Sequence, residues 1–404
     1  MDGKLIEIDE ARRLVLEHVA RLGAEPVAVG DALGRVLAED VASLDPVPGF
    51  DSSAMDGYAV RAADTAGADS RRPVRLALVD ESRAGHPAQG GLGAGEAIAI
   101  STGAMVPAGA DAVVRVEDTG GADPVEIRVE VEAGRDIRRA GEDIRPGATV
   151  ISAGTTLGPA ELGVVVSVGR TAPRRARRPR VTVLTTGDEI QEPGEPLRPG
   201  AVRNSNAHSI AALVERSGAT IERLEIVPDD RVATEAALER ALAADVAVIS
   251  GGMSVGEHDH VRPALAALGV EQVFWGVALR PGKPTSFGVA PSGCLVFGLP
   301  GNPVSAMVTF GLFARPAIRA TLGASLESRR ATAILDHDYP KQPGRAHLVR
   351  CRLELRDDGW HATPTGPQGS HVLTSMLGAD ALAIIPTASG SIAAGERVEI
   401  EPLE

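Results

Sequence analysis

The sequence predicts a multidomain α/β protein: a three-layer domain with a mostly parallel sheet, accompanied by a small β-rich domain, a mixed segment and a C-terminal β domain. Three observations lead there. The chain has 404 residues, more than one typical domain holds. Between about residues 181 and 326, strand-length apolar runs alternate with helix-length amphipathic runs, which is the pattern of βαβ units and a parallel sheet. Outside that stretch the apolar runs are mostly short and broken by Gly, Pro and Asp, as in small β domains.

Taken in order, residues 8–22 place Ile8, Ala11, Leu14, Val15, Val19 and Leu22 on one helical face, with Asp9 near the start as a cap. Residues 46–133 carry short alternating runs at 74–78, 97–100 and 127–131, read as strands of the small β-rich domain. A mixed segment over 138–169 holds a predicted helix at 159–168. RTAPRRARRP (170–179) contains five arginines and two prolines; it is read as a solvated basic linker at a domain boundary, ahead of a nucleic-acid signal. Then come strand 181–185, helix 207–217, strand 220–226, helix 232–243, strand 246–250, helix 260–268, strand 295–298 and a long helix from Pro303. The segment 328–404 returns to short strands at 348–355, 381–385 and 397–401, with one short helix.

Composition excludes several classes. No run approaches the roughly 18 apolar residues of a membrane span, and the N-terminal stretch MDGKLIEIDEARRLVLEH has no apolar core of a signal peptide; a cytoplasmic protein without membrane contact is expected. A net charge of −13 and 2% aromatics argue against nucleic-acid binding, so any anionic ligand must be held locally. Cys294 and Cys351 lie far apart without CxxC spacing, which removes a zinc ribbon and a disulfide framework and leaves two buried, inert thiols.

Open parallel sheets bind ligands outside the carboxyl ends of their strands. Three loops there are unusual: TTGDE (185–189), SGGMSVGEHD (250–259) and GLPGNPVS (298–305). Each joins glycines, which let backbone N–H groups approach a ligand, to hydroxyl or amide side chains. One such loop is equally a tight turn; three on one edge suggest a phosphate cradle. Asn302 at the cap position and Pro303 in the first turn would leave helix N–H groups facing the ligand. Asp188, Glu189, Glu257 and Asp259 would gather beside the phosphates, a repulsion that a divalent cation such as Mg2+ relieves. His258 and His260 flank Asp259 and are read as solvated. In LRPGKP, Arg280 and Lys283 are either a basic surface turn or fixed cations for a second, compact oxyanion.

The chain resembles the MoeA-type molybdopterin molybdenumtransferases, the family that includes the C-terminal domain of gephyrin. The matching motifs run in order: FDSSAMDGYAV (50–60), STGAMVPAGADAVV (101–114), RRAGEDI (138–144), TTGDEI with PG and NSN (185–206), SGGMSVGEHD, RPGKP (280–284), GLPGNPVSA (298–306) and GPQGSHVLTSM (366–376). The resemblance implies an elongated mixed domain made of 1–46 and 137–176, a β-rich domain over 47–136, an α/β molybdopterin-binding domain over 177–326 and a barrel-like C-terminal domain over 327–404. It implies insertion of molybdate into adenylated molybdopterin with release of AMP, using Mg2+. Asp188, Glu189 and Asp259 would hold the metal or position the nucleophile. Thr185, Thr186, Gly187, Ser250, Gly251, Gly252, Ser254, Gly256, Pro300, Gly301, Asn302 and Pro303 would line the substrate site, with Asn204, Ser205 and Asn206 close by. Molybdate would meet Arg280, Lys283, Pro284 and Ser305, with Arg350 and Ser370 from the C-terminal domain. Asp56, Thr102 and Asp143 lie in the other domains and would face a partner subunit's site, which implies a homodimer; other cofactor-biosynthesis proteins or molybdoenzyme acceptors would be further partners. Family members often carry lysine where Gly276 and Arg280 stand, which leaves molybdate or tungstate preference open. A scaffold role is the competing reading.

Overall fold

The computed structural model describes residues 5–194, 196–252, 260–326 and 330–403. The first helix, Ile8–Glu17, follows the expected apolar spacing and ends before Leu22. Its N-cap is Glu7, with no side-chain cap; Asp9 lies inside the first turn and accepts a hydrogen bond from Arg330 Nη2 at 2.5 Å. Ile8, Ala11 and Val15 pack into the core of the α/β domain, so this helix joins that domain instead of the mixed one. Arg12 fastens it further, donating to the carbonyl of Leu312 and to both carboxylate oxygens of Glu401 on the last strand.

The mixed domain pairs Ala24–Pro26 with Arg174–Ala176 and Val41–Ala42 with Thr149–Ile151, and its core includes Leu37, Val41, Leu157, Val165 and Val168. The basic run is therefore not a solvated linker. Arg174–Ala176 is a strand and Arg175 is fully buried. Arg177 makes a two-pronged contact with Asp245 at 3.0 and 2.9 Å, and the same carboxylate accepts from the Arg180 amide at 2.7 Å. Asp245 thus ties the linker to the amino edge of the sheet. Asp245→Ala is expected to cost about 1–3 kcal/mol, read as a fall in Tm of about 2–4 °C per kcal/mol; an unchanged melt would show that the staple carries no stability.

The β-rich domain is a six-stranded sheet, with Gly57–Val60 between Ala112–Arg115 and Glu96–Ile100. The α/β domain carries strands β1 (Arg180–Thr186), β2 (Thr220–Val227), β3 (Val246–Ser250), β4 (Glu271–Trp275), β5 (Ser286–Val289) and β6 (Leu295–Leu299). Their order is β2-β1-β3-β6-β5-β4. The first four are parallel, while β5 runs antiparallel to β6 and β4 antiparallel to β5. β4 and β5 escaped the sequence reading because β4 lies at the sheet edge with Glu271 and Gln272 exposed, and β5 is four residues long with an internal glycine.

Apolar side chains fill both faces, as continuous buried runs such as VAVIS in β3 require. One face packs Val183, Val248 and Phe297 against Ser205–Arg216, the helical stretch from Pro303 and the first helix. The other packs Leu184, Ile249 and Val296 against Arg231–Ala241 and Val261–Ala267. The stretch from Pro303 is Pro303–Thr309, a π-helical turn Phe310–Ala314 and Arg315–Thr321.

The C-terminal strands Ala331–Leu335, Ala346–Arg356, Gly359–Pro364, Ala381–Ile385 and Arg397–Pro402 close into a barrel. A two-residue strand of the α/β domain, Leu279–Arg280, adds to it in parallel beside Ala346 and His347. Both cysteines are free and buried, and burial pushes each thiol up to about 12. Among the described residues no helix is long and apolar enough to cross a membrane.

Candidate functional site

The chain passes from β1 to β2 on one side and then to β3 on the other, so the strand order reverses between β1 and β3. A crevice opens at such a reversal, at the carboxyl ends of the strands. Register places Thr185 beside Ser250 and Ser250 beside Leu299, which sets the three glycine-bearing loops next to one another.

Asn206, in the first turn of Ser205–Arg216, joins them. Its Nδ2 donates to Ser250 Oγ at 2.9 Å and to the Gly301 carbonyl at 2.7 Å; Ser250 Oγ donates in turn to the Pro300 carbonyl at 3.2 Å. The Gly251 amide donates to the Leu299 carbonyl. Glycine is required here: Gly251 has φ +97, and a Cβ on it would lie 2.7 Å from the Thr186 carbonyl oxygen. At Gly252 a Cβ would meet Val261 Cγ2 at 2.5 Å.

Around this junction Thr185 Oγ1, Thr186 Oγ1 and Asn206 Oδ1 are buried with no hydrogen-bond partner among the described residues. Each such orphan costs about 1–3 kcal/mol, and a polar ligand that reaches all of them removes the cost. Two hydroxyls can donate to anionic oxygens, whereas the amide oxygen accepts from an N–H or O–H.

Other expected residues separate into ligand-facing and structural. Asn204 is 3% exposed; its Oδ1 caps the Ala207 amide and its Nδ2 donates to Glu192 Oε1 at 2.6 Å, so it builds the helix start while the half-buried Ser205 follows it. Asn302 sits at the N-cap of Pro303–Thr309, but its side chain makes no cap bond and is exposed. The Val304 amide, expected to be free, donates to the Ser370 carbonyl at 3.2 Å. Gly187 is buried, and Asp188 and Glu189 are exposed just beyond it; Asp188 Oδ1 accepts from the Asp229 amide at 3.1 Å. Ser254, Gly256, Glu257, His258 and Asp259 lie outside the described residues. Among the described residues no group of three or more His, Cys, Asp or Glu could hold a metal. The two adjacent carboxylates of Asp188 and Glu189 nevertheless suit Mg2+, which takes one or two carboxylates and completes its shell from substrate phosphates and water.

A second cluster forms where the α/β domain meets the barrel. The turn between β4 and β5 is closed by Gly276 N to Thr285 O, Val277 N to Lys283 O, and Thr285 Oγ1 to Gly282 O. Gly276 has φ +92, and a Cβ on it would sit 2.8 Å from Leu5 Cδ2, so this backbone needs the glycine. Arg280 and Lys283 are exposed and Pro284 half-buried. Register pairs Arg280 with His347. Burial first, then Arg280, Lys341 and Arg345, push His347 down to about 4. Tyr339 beside it is raised by burial, against the pull of Arg280 and Arg350. Among the described residues Arg280, Lys283, Lys341, Arg345 and Arg350 have no carboxylate partner, in a chain of net charge −13. An oxyanion is the natural counter-charge.

Arg350 requires a correction. It is fully buried, and its guanidinium donates to the carbonyls of Pro367, Gln368 and Gly369 and to Ser375 Oγ. It shapes the loop that carries Ser370 instead of offering its donors to molybdate. Ser305 is buried in the helix that this loop touches. Lys341, Arg345, His347 and Tyr339 went unnoticed in the sequence because none belongs to a glycine-rich motif; only the docking of Leu279–Arg280 on the barrel brings them to the turn.

Asp56 accepts from the Thr102 amide at 2.7 Å and from Thr102 Oγ1 at 3.1 Å, and both residues are exposed in the β-rich domain. Asp143 is exposed in the mixed domain, its amide donating to the Val47 carbonyl.

Fold and site together define a class: a multidomain α/β protein with a polar, glycine-lined crevice at the switch point of its sheet and a cluster of cations where that domain meets the barrel. Residues 6–169 match the MoeA N-terminal region (domain I and II), 182–320 a probable molybdopterin binding domain, and 332–403 the MoeA C-terminal region (domain IV). The chain belongs to the MoeA family of molybdopterin molybdenumtransferases. It is 35% identical over 402 residues to the molybdopterin molybdenumtransferase of Bacillus subtilis, covering 98% of this chain and 93% of that one. It is 37% identical over 407 residues to molybdopterin molybdenumtransferase 2 of Mycobacterium tuberculosis, covering 97% and 98%. The crystal structure of the molybdopterin biosynthesis MoeA protein from Pyrococcus horikosii superposes with a TM-score of 0.85 at 34% identity, over 99% of this chain and 100% of that one.

Proposed function

We propose that this protein inserts molybdate into adenylated molybdopterin and releases AMP, completing molybdenum cofactor biosynthesis. One observation supports the reading most: the cradle whose Thr185, Thr186 and Asn206 oxygens have no partner among the described residues is linked, through the Val304–Ser370 hydrogen bond, to the barrel whose cations have no carboxylate partner among those residues. A substrate with phosphates at one end and a partner oxyanion at the other fits that arrangement.

The two threonine hydroxyls donate to phosphate oxygens, and Asn206 Oδ1 accepts from the pterin or ribose. Arg280 and Lys283 hold molybdate. The dithiolene thiolates of molybdopterin displace oxygen from molybdate, which takes up protons and leaves as water; a water molecule attacks in line at phosphorus, the phosphoanhydride P–O bond breaks, and AMP leaves with the bonding pair. The work of the protein is positioning and charge stabilisation. Asp188 and Glu189 would hold Mg2+, joined by Asp259 as the family resemblance implies, and the ion would supply neutralisation of phosphate charge. Asp56, Thr102 and Asp143 complete the site across a homodimer, and the reaction proceeds in the cytoplasm, where free thiols such as Cys294 and Cys351 persist.

Purified protein, adenylated molybdopterin, Mg2+ and molybdate should yield AMP in proportion to cofactor formed, with tungstate compared in parallel because Arg280 and Gly276 alter the cation pattern. No AMP release at any molybdate concentration overturns the reading. Full activity from a species that sediments as a monomer removes the shared site.

A further inference from the structure

We infer that the Tyr339–His347 pair of the barrel is part of the oxyanion site, His347 presenting an imidazole N–H to the anion held at Arg280 and Tyr339 positioning that ring. The inference rests on the functional reading above for the identity of the anion, and on its own observations for the geometry.

His347 stands directly beside Arg280 in the parallel pairing of the α/β turn with the barrel strand, and paired residues project to the same face of a sheet. It is 7% exposed. Its Nδ1 lies 3.2 Å from the Tyr339 hydroxyl, and the rings meet edge to face with centroids 5.8 Å apart. Nε2 has no partner among the described residues. Tyr339 is itself fixed by a reciprocal backbone bridge to Ile392.

Burial keeps Tyr339 a phenol, and a phenol donates to an imidazole nitrogen that bears no proton. With Nδ1 accepting, the ring proton sits on Nε2. In that tautomer the nitrogen without a partner among the described residues is a donor. Burial first, then the surrounding cations Arg280, Lys341 and Arg345, favour the uncharged ring, so His347 contributes a directional bond without adding to the charge. A cluster of cations attracts any anion. A fixed N–H beside it selects where one oxygen must lie, and a hydrogen bond to a charged group contributes more than a neutral one.

The test uses the full chain, with molybdate as the probe in calorimetric titration and with KM for molybdate measured during AMP release. His347→Leu is expected to raise both Kd and KM about tenfold or more, with kcat and the affinity for adenylated molybdopterin unchanged. His347→Gln, which retains an N–H donor, should restore most of that loss. Tyr339→Phe frees the tautomer and should raise KM by a few-fold. If His347→Leu folds and binds molybdate as the wild type does, the inference fails; if that variant does not fold, an unchanged KM in Tyr339→Phe overturns it. A wild-type protein that binds molybdate yet releases no AMP refutes the functional reading, and the direct titration still decides the role of His347.

Discussion

The double substitution Asp188→Asn with Glu189→Gln is expected to lower Mg2+-dependent AMP release by about 10²–10³-fold, the scale for removing a preorganised electrostatic contact at a transition state. Both side chains are exposed at the end of the first loop, and the carboxamide that replaces the Asp188 carboxylate keeps an oxygen to accept from the Asp229 amide. Folding should change little, by about 0.5 kcal/mol or less for an exposed site, and the melt should stay within about 1–2 °C of wild type. The wild type should saturate with Mg2+ and the variant should not. Normal turnover at normal Mg2+ would remove these carboxylates from the metal site.

Gly251→Ala is expected to damage fold and binding together. The residue has φ +97, where a side chain costs about 1–2 kcal/mol, and the new Cβ would lie 2.7 Å from the Thr186 carbonyl oxygen and 2.8 Å from Thr186 Oγ1. Overpacking adds about 1–3 kcal/mol, so Tm should fall by about 2–4 °C for each kcal/mol lost. The methyl group also occupies the gap between the ends of β1 and β3, so affinity for AMP should fall about tenfold or more, the effect of about 1.4 kcal/mol. Removing the threonine hydroxyl with Thr186→Ala should not rescue the variant, because the backbone oxygen remains in contact. A Gly251→Ala protein that melts and binds AMP as the wild type does would show that the crevice lies elsewhere.

Much of the α/β domain was legible because its signals are local. VAVIS is an apolar run between polar boundaries, and it forms β3 with every residue buried; the loops after β1, β3 and β6 then follow from where the strands end. Asn302 and Pro303 likewise marked a helix start that exists. Other elements were less readable for identifiable reasons. The first helix was recognised from its period, yet its period is silent on which domain receives Ile8, Ala11 and Val15. RTAPRRARRP reads as solvated because arginine usually is, whereas Arg177 finds Asp245, a residue 68 positions away. Arg350 resembles a ligand by motif, but the barrel turns it inward onto the carbonyls of its neighbouring loop.

By itself the sequence determined the chemistry available at each strand end: hydroxyls and paired carboxylates after β1, glycines after β3, a proline-started helix after β6, and a basic turn at 280–284. Those features depend on residues a few positions apart, where backbone preference and side-chain period act directly. The tertiary structure alone decided which of them meet. Strand order β2-β1-β3-β6 places the three loops side by side, and the pairing of Arg280 with His347 sets that ring within reach of the charges of Arg280, Lys341 and Arg345. Register and domain docking are set by packing between distant segments, and no local periodicity encodes that.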